Sequence, residues 1–103
     1  MASIGEYRDD IRRYRSLKEK ILRICEQLER ASRGSSKLEN EIASSFKVNN
    51  VAAKMSGRID ILGRDMRETA DYLRNTIIPS INSAIDDSYD EIDRLEEEEE
   101  EDD

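Results

Sequence analysis

The chain is 103 residues long, has a net charge of −8 and is 41% charged, 36% hydrophobic and 5% aromatic. This length allows one domain at most, and the composition is typical of long amphipathic helices or a coiled coil, which argues against a β-sandwich or an α/β enzyme. Residues 86–103 hold thirteen acids and one arginine, so they carry −12 and leave +4 for the other 85 residues. Such a balanced body argues against nucleic-acid binding through a basic face.

The first helix is predicted over about residues 3–46. Ser3 and Glu6 have the spacing of a capping box, in which each side chain accepts a hydrogen bond from the other residue's backbone N–H. Gly34 favours a kink rather than a stop, because the apolar pattern stays in phase beyond it. That pattern alternates steps of three and four residues and predicts a seam along one helix face. Its members are Tyr14, Leu17, Ile21, Ile24, Leu28, Ala31, Leu38 and Ile42, with Ser35 in one place of the series.

A turn is predicted at about residues 47–50, because Asn49 and Asn50 tolerate left-handed backbone and compete with helix hydrogen bonding. A second helix is predicted over about residues 51–95, where apolar residues again recur at helical spacing. Its stripe consists of Ala52, Met55, Ile59, Leu62, Met66, Ala70, Leu73, Ile77, Ile81, Ala84 or Ile85, Ser88, Ile92 and Leu95.

Pro79 lies inside this second helix and predicts a bend at about residues 75–78. Proline donates no backbone hydrogen bond, and its ring clashes with the preceding turn of a helix. The apolar phase also shifts by one residue between Leu73 and Ile81, which agrees with a local change of course. The hairpin domain is therefore predicted over residues 1–95, followed by a disordered acidic tail at residues 96–103.

The predicted fold is all-α. Two helices of about 45 residues, each about 65 Å long and joined by a short turn, make an antiparallel hairpin. Such a hairpin covers only half of each apolar stripe, so a homodimer or heterodimer with four helices would complete the burial. The large stripe residues are therefore the predicted partner surface: Tyr14, Leu17, Ile21, Ile24, Leu28, Leu38, Ile42, Met55, Ile59, Leu62, Met66, Leu73 and Ile77.

The sequence offers no catalytic apparatus. It has no histidine, and its carboxylates lie on charged helix faces rather than in a pocket that would separate their roles. The lone Cys25 allows no intrachain disulfide and no cysteine metal cluster, and it is expected to be a buried structural thiol. The acidic pairs lack the alternating ligands and turn glycine of a calcium loop. We therefore expect a protein that is not an enzyme and needs no cofactor or metal.

The stretch YDEID carries the most specific functional signal. Tyr89 and Asp93 are four residues apart and therefore lie on one side of a helix. The first ten residues, MASIGEYRDD, lack the apolar run of a secretory signal peptide, and 18 consecutive apolar residues occur nowhere in the chain. We expect no membrane insertion, and any export is expected by a route that accepts cargo without a cleaved signal peptide.

A chain of about one hundred residues with a helical hairpin, no signal peptide and a Tyr-x-x-x-Asp pair resembles the Trp-x-Gly family of small type VII secretion proteins. Within that group it looks most like the helical accessory proteins that partner LXG-type toxins in Gram-positive bacteria. The Trp-x-Gly turn itself is missing, since the chain has no tryptophan.

The resemblance implies a targeting partner that binds a toxin's N-terminal helical domain or a second small hairpin. It also implies that Tyr89 and Asp93 form an export signal read by a secretion ATPase. The protein would then be cytoplasmic before export and secreted afterwards. The alternative interpretation is a cytosolic coiled-coil adaptor or assembly subunit whose acidic tail keeps it soluble.

Overall fold

The structure, a computed structural model, describes residues 2–45 and 50–101. Helix α1 spans Ile4–Ser45, α2 spans Asn50–Tyr72, a π-helical turn spans Leu73–Ile77, and α3 spans Ile78–Glu101. The Cα positions extend over 82 × 15 × 15 Å, so the molecule is a rod two helices wide. No strand occurs in either described range, and the predicted all-α hairpin is confirmed. The predicted turn falls on residues 47–49, which lie outside the described residues, and on Asn50, which already belongs to α2.

Ser3 caps the start of α1 and makes one of the two backbone hydrogen bonds of the predicted capping box. The backbone N–H of Glu6 donates to Ser3 Oγ over 3.2 Å, the Ser3 hydroxyl donates to Glu6 Oε1 over 3.4 Å, and the Tyr7 N–H donates to the Ser3 carbonyl over 3.1 Å. The bond from the Glu6 N–H satisfies one of the orphan donors of the first turn. Further along, α1 continues without a break through Gly34, so that glycine does not end the helix.

The seam between the helices follows heptad positions a and d, with alternating steps of three and four residues. In α1 the buried and half-buried members are Ile11, Tyr14, Lys18, Ile21, Cys25, Leu28, Ser32, Ser35, Glu39 and Ile42. Before Pro79 the facing members are Ser56, Ile59, Gly63, Met66, Ala70, Leu73 and Ile77. The buried cluster that joins both helices is formed by Ile21, Cys25, Ala70 and Ile81.

Small residues bring α1 and α2 close together. Gly63 faces Ser32 and Ser35, and a Cβ atom at Gly63 would lie only 2.2 Å from Ser35 Oγ. The Ser32 hydroxyl donates to the Gly63 carbonyl over 2.9 Å, and the Cys25 thiol donates to the Ala70 carbonyl over 3.8 Å. Large apolar side chains at these positions would hold the helices apart. The seam instead has short side chains here, and they donate hydrogen bonds to the backbone of the facing helix.

The π-helical turn lies where the sequence predicted a bend. The Ile78 N–H donates to the Leu73 carbonyl, a step of five residues that widens the helix directly before Pro79. Such a turn contains one residue more than an α-helical turn. The seam accordingly resumes one residue out of phase, at Ile81, Ile85, Ser88, Ile92 and Leu95.

Helix α3 continues beyond the predicted helix end at residue 95. Residues 96–101 are helical, which corrects the prediction of a disordered tail for this part of the acidic run. Glutamate is a good helix former, and Arg94 donates hydrogen bonds of 2.7 Å to both Glu91 and Glu98. These i, i+3 and i, i+4 pairs stabilise the last turns of the helix. Residues 102–103 lie outside the described part of the chain.

Candidate partner interface and export motif

One flank of the rod is polar and carries contacts between the helices. This polar flank consists of the e positions, the residues that follow d. Arg8 Nη2 donates to Glu96 Oε1 over 3.1 Å, and Arg74 Nε donates to Glu29 Oε1 over 2.6 Å. The hydrogen bond from Arg74 to Glu29 raises the pKa of Arg74 above its ordinary value, so this guanidinium stays charged.

A polar contact also reaches into the seam itself. Lys18 occupies an a position, and its Nζ donates to Asn82 Oδ1 over 2.8 Å. A charged residue at a single seam position commonly fixes the register of a coiled coil at some cost in stability. The pair therefore fixes which part of α3 lies beside the first half of α1.

The opposite flank is apolar. The two helices are antiparallel, so a two-fold axis perpendicular to the plane that contains them exchanges one helix with the other. This rotation leaves each flank on the same side of the plane. The e residues of both helices therefore lie on one flank, and the g residues of both helices lie on the other. Each large apolar residue at g is about half exposed, with Leu38 the least exposed at 45% and Leu62 the most exposed at 56%. This apolar flank consists of Leu17, Ile24, Ala31 and Leu38 from α1 with Met55 and Leu62 from α2.

The structure divides the predicted partner surface into two sets. The d residues of that surface are buried or half-buried on the side of each helix that faces the other helix of the hairpin: Tyr14, Ile21, Leu28, Ile42, Ile59, Met66 and Leu73, joined by Ile77 at an a position. The g residues Leu17, Ile24, Leu38, Met55 and Leu62 remain exposed. The surface open to a partner is therefore narrower than the sequence predicted.

Sequence reasoning missed several small or polar members of the seam, including Lys18, Ser32, Glu39 and Gly63, although it placed Ala70 and Ser35 in the stripes and predicted a buried Cys25. Cys25 and Ser32 are seven residues apart in α1, and Gly63 and Ala70 are seven residues apart in α2. Heptad spacing of small residues on both helices was the signal that could have located the close approach. A search for apolar residues alone follows d and g instead, because both of those positions are apolar in α1.

The predicted export motif lies on the polar flank of α3. Tyr89 is 41% exposed, its hydroxyl accepts a hydrogen bond from Arg15 Nη2, and the Arg15 guanidinium lies 5.7 Å from the centre of its ring. An open cavity of about 340 Å³ beside it is lined by Arg8, Ile11, Arg12, Arg15 and Tyr89. The Asp93 side chain is exposed and has no hydrogen bond or ion pair with another residue in the described ranges.

The described residues contain no cluster of three or more histidine, cysteine, aspartate or glutamate side chains that could hold a metal ion. Cys25, which is fully buried, presents no thiol at the surface. None of the helices in the described ranges has the length and apolar character needed to cross a membrane.

Comparison with protein-family models, with curated proteins and with solved structures finds no match for this chain.

Proposed function

We propose that this protein is a non-catalytic helical partner for export through a type VII secretion system. It binds a toxin's helical domain or another small hairpin through its apolar flank, and it offers Tyr89 and Asp93 to a secretion ATPase. The protein is cytoplasmic before export and leaves the cell without a cleaved signal peptide. In this proposal it uses no cofactor and binds neither nucleic acid nor membrane.

The placement of Tyr89 and Asp93 carries the proposal. Both side chains lie on exposed positions of α3, off the seam and on the side of the rod that carries e rather than g residues. A partner bound to Leu38 and Leu62 would therefore leave the tyrosine ring and the carboxylate accessible. A receptor can read such a pair on a regular helix face, and the helix continues to Glu101, so the motif does not lie in a fraying end.

The test is secretion of single variants from a Gram-positive host that carries a type VII system and the chromosomal neighbours of the gene. Tyr89→Ala and Asp93→Ala should each abolish export of the protein and its cargo, with helix content and partner binding nearly unchanged. Tyr72→Ala and Asp90→Ala are matched controls, because both residues are exposed on the same long helical arm. They should be exported normally.

Normal export of both motif variants would overturn the export proposal. A different pattern would support a structural role for the tyrosine: Tyr89→Ala would lower stability and partner affinity, while Asp93→Ala would have little effect. Purification with the neighbouring gene products identifies the partner, because a type VII accessory protein should co-elute with a larger toxin or with a second hairpin.

A cytosolic coiled-coil adaptor is the second candidate. The observation that favours it is the acidic end of α3, where residues 96–100 form an exposed helical surface of one charge. A surface of one charge keeps such an adaptor soluble. Retention of the protein in the cytosol, with no toxin or second hairpin that co-elutes with it, would favour the adaptor.

A further inference from the structure

We propose that Ser36 is a site of serine phosphorylation, and that the phosphate is held between Arg33 of α1 and Arg67 of α2. The inference goes beyond the proposed function, because it concerns the middle of the polar flank and involves neither the export motif nor the apolar flank. The phosphate would join the two helices of the hairpin.

The segment RASRGSSK, residues 30–37, has the charge pattern of a kinase substrate. It holds three serines and three cations, Arg30, Arg33 and Lys37, and it contains no acid. Kinases select their substrates partly by charge pattern, and an arginine three residues before the serine is a common form of that pattern. Ser36 follows Arg33 by three residues, so it fits a kinase that recognises basic segments.

Only one of the three serines in this segment is available for modification. Ser32 is buried and donates to the Gly63 carbonyl over 2.9 Å. Ser35 is half-buried and donates to the Ser32 carbonyl over 2.7 Å. Ser36 is exposed, and its bond to the same carbonyl is 3.4 Å long. Modification of Ser36 would therefore sacrifice the weakest of these hydrogen bonds.

The helix is also easiest to open beside Ser36. A kinase binds the substrate serine in an extended segment, so α1 has to unfold locally before Ser36 can react. Glycine is the weakest helix former after proline, and Gly34 lies two residues before Ser36. A methyl group at Gly34 would have no other atom within 4 Å, so packing does not require a glycine there.

A cavity beside Ser36 provides the place for the phosphate. Its volume is about 160 Å³, and it is lined by Glu29, Ser32, Arg33, Ser36 and Arg67. One water molecule in the liquid occupies about 30 Å³, so the three terminal oxygens of a phosphate have room. Arg33 and Arg67 are exposed, and neither forms an ion pair within residues 2–45 and 50–101. A guanidinium group can bind phosphate through two parallel N–H groups.

The charge around the cavity suits a phosphate. Glu29 is the one acid in its lining, but Glu29 Oε1 accepts a hydrogen bond of 2.6 Å from Arg74 Nε, which offsets that charge. Asp60, the next acid on the polar flank of α2, is paired with Arg64. The two cavity arginines therefore remain to balance a phosphoserine charge of about −2.

The reaction is an ordinary phosphoryl transfer from ATP. A bond forms between Ser36 Oγ and the γ-phosphorus, and the bond from that phosphorus to the bridging oxygen breaks to release ADP. The hydroxyl proton passes to the catalytic base of the kinase.

The first experiment tests where a kinase acts on the folded full chain. The chain is incubated with ATP and cAMP-dependent protein kinase, which recognises basic residues before a serine, and the sites are located by mass spectrometry. Ser36 should be modified faster than Ser16, which also follows an arginine by three residues but lies far from any glycine in α1. Faster modification of Ser16 would overturn the assignment.

The same assay tests the role of Gly34. Gly34→Ala should slow modification of Ser36 about fivefold, the factor that corresponds to the difference in helix propensity. Gly57→Ala is the matched control, because Gly57 also has open space around its Cβ position but lies in α2. An equal rate in both variants would contradict local opening at Gly34.

The second experiment tests whether the phosphate joins the helices. Phosphoserine is introduced at position 36 of the full chain by amber-codon suppression, and thermal unfolding is followed by circular dichroism. The midpoint should rise by about 4 °C. Phosphoserine at position 16 is the control, because position 16 lies at f on the outer face of α1 and has no facing helix. It should give a smaller rise.

Arg67→Gln separates the proposed contact from effects within α1. It should remove most of the gain from phosphoserine at position 36, whereas Arg58→Gln, at an exposed arginine on the outer side of α2, should leave the gain in place. Phosphorus NMR gives a second readout. Nearby cations favour the dianion, so Arg67→Gln should raise the second pKa of the phosphoserine toward its ordinary value of about 6. No gain in the midpoint, or a gain and a pKa that are unaffected by Arg67→Gln, would overturn the proposed contact.

Discussion

The Ser32 hydroxyl donates a hydrogen bond of 2.9 Å to the backbone carbonyl of Gly63 on the facing helix. A side chain as short as serine can reach that carbonyl only where two helix backbones come unusually close. The missing Cβ of Gly63 makes this approach possible, because an atom there would lie 2.2 Å from Ser35 Oγ and 3.4 Å from Ser35 Cβ. The middle of the rod is therefore held by backbone proximity as well as by apolar burial.

Alanine substitutions at two helical glycines should have opposite effects. Gly57→Ala should stabilise the protein by about 1 kcal/mol, since alanine is the better helix former and nothing lies within 4 Å of the new methyl group. Gly63→Ala gains the same helix propensity, but the new methyl group displaces Ser35, whose hydroxyl donates to the Ser32 carbonyl over 2.7 Å. We expect the free energy of unfolding to fall by about 1 kcal/mol, because overpacking between the helices typically costs more than the gain in helix propensity.

Urea denaturation at one fixed protein concentration measures both changes. Equal stabilisation by the two substitutions would contradict the close approach of the helices at Gly63.

The π-helical turn predicts an unusual tolerance to deletion. Removing Thr76 would make the seam regular through Ala70, Leu73, Ile78 and Ile81, because Ile78 would then take the place of Ile77. Pro79 would, however, lie in a regular α-helix and cost about 3 kcal/mol. The deletion should therefore be tolerated in a Pro79→Ala background and should be strongly destabilising with Pro79 retained.

Thermal unfolding followed by circular dichroism tests this prediction. Deletion of Glu68, an exposed residue in the regular part of α2, is the control. It shifts the rest of the arm out of register with α1 and should destabilise the hairpin whether or not Pro79 is present. Similar losses from both deletions in the Pro79→Ala background would show that the extra residue is not what the π-helical turn accommodates.

The sequence was sufficient to predict the hairpin, because one break in helical periodicity separates two long stripes. It also located the phase shift near Pro79, since proline chemistry and a one-residue change in spacing pointed to the same place. The π-helical turn itself was not predicted, because a bent α-helix and a widened turn can both follow from the same one-residue change in the spacing of apolar residues.

The phase of the seam was only half predicted. In α1 the d and g positions are both apolar, and the a positions include Lys18, Ser32 and Glu39. A search for hydrophobic residues therefore selected d and g, whereas the hairpin buries a and d. Which of two adjoining stripes turns inward depends on how closely the facing helix can approach, and that depends on Gly63 in a different part of the chain. The remaining g residues form the candidate interface.

Arg94 should determine how far α3 persists into the acidic run. Its pKa is raised above the ordinary value by the hydrogen bond to Glu91 and by the nearby charges of Glu91 and Glu98, so it remains a cation among the negatively charged glutamates. Arg94→Gln should lower the helix content of residues 96–101, because each lost pair contributes about 0.2–0.5 kcal/mol and the glutamates then repel one another without compensation. Cα chemical shifts measure the change residue by residue.

Arg23→Gln is the control for that comparison, because Arg23 pairs with Glu19 in the middle of α1 and lies far from the acidic end. Unchanged chemical shifts at residues 96–101 in the Arg94 variant would mean that glutamate propensity alone extends the helix.

Arg15 tests whether Tyr89 acts as a signal or as a packing residue. The guanidinium covers the ring and donates to its hydroxyl, so a receptor would have to compete with Arg15 for the tyrosine. Arg15→Ala should lower the free energy of unfolding by about 0.5–1 kcal/mol, the size of an exposed cation–π contact. Export should stay at the wild-type level or rise, because the ring becomes more accessible.

Thermal unfolding and quantitative secretion of the same variant give the two readouts, with Arg12→Ala as the neighbouring control. If Tyr89 served only to hold α3 against α1, secretion would fall together with stability, and that parallel loss would count against an export signal at Tyr89.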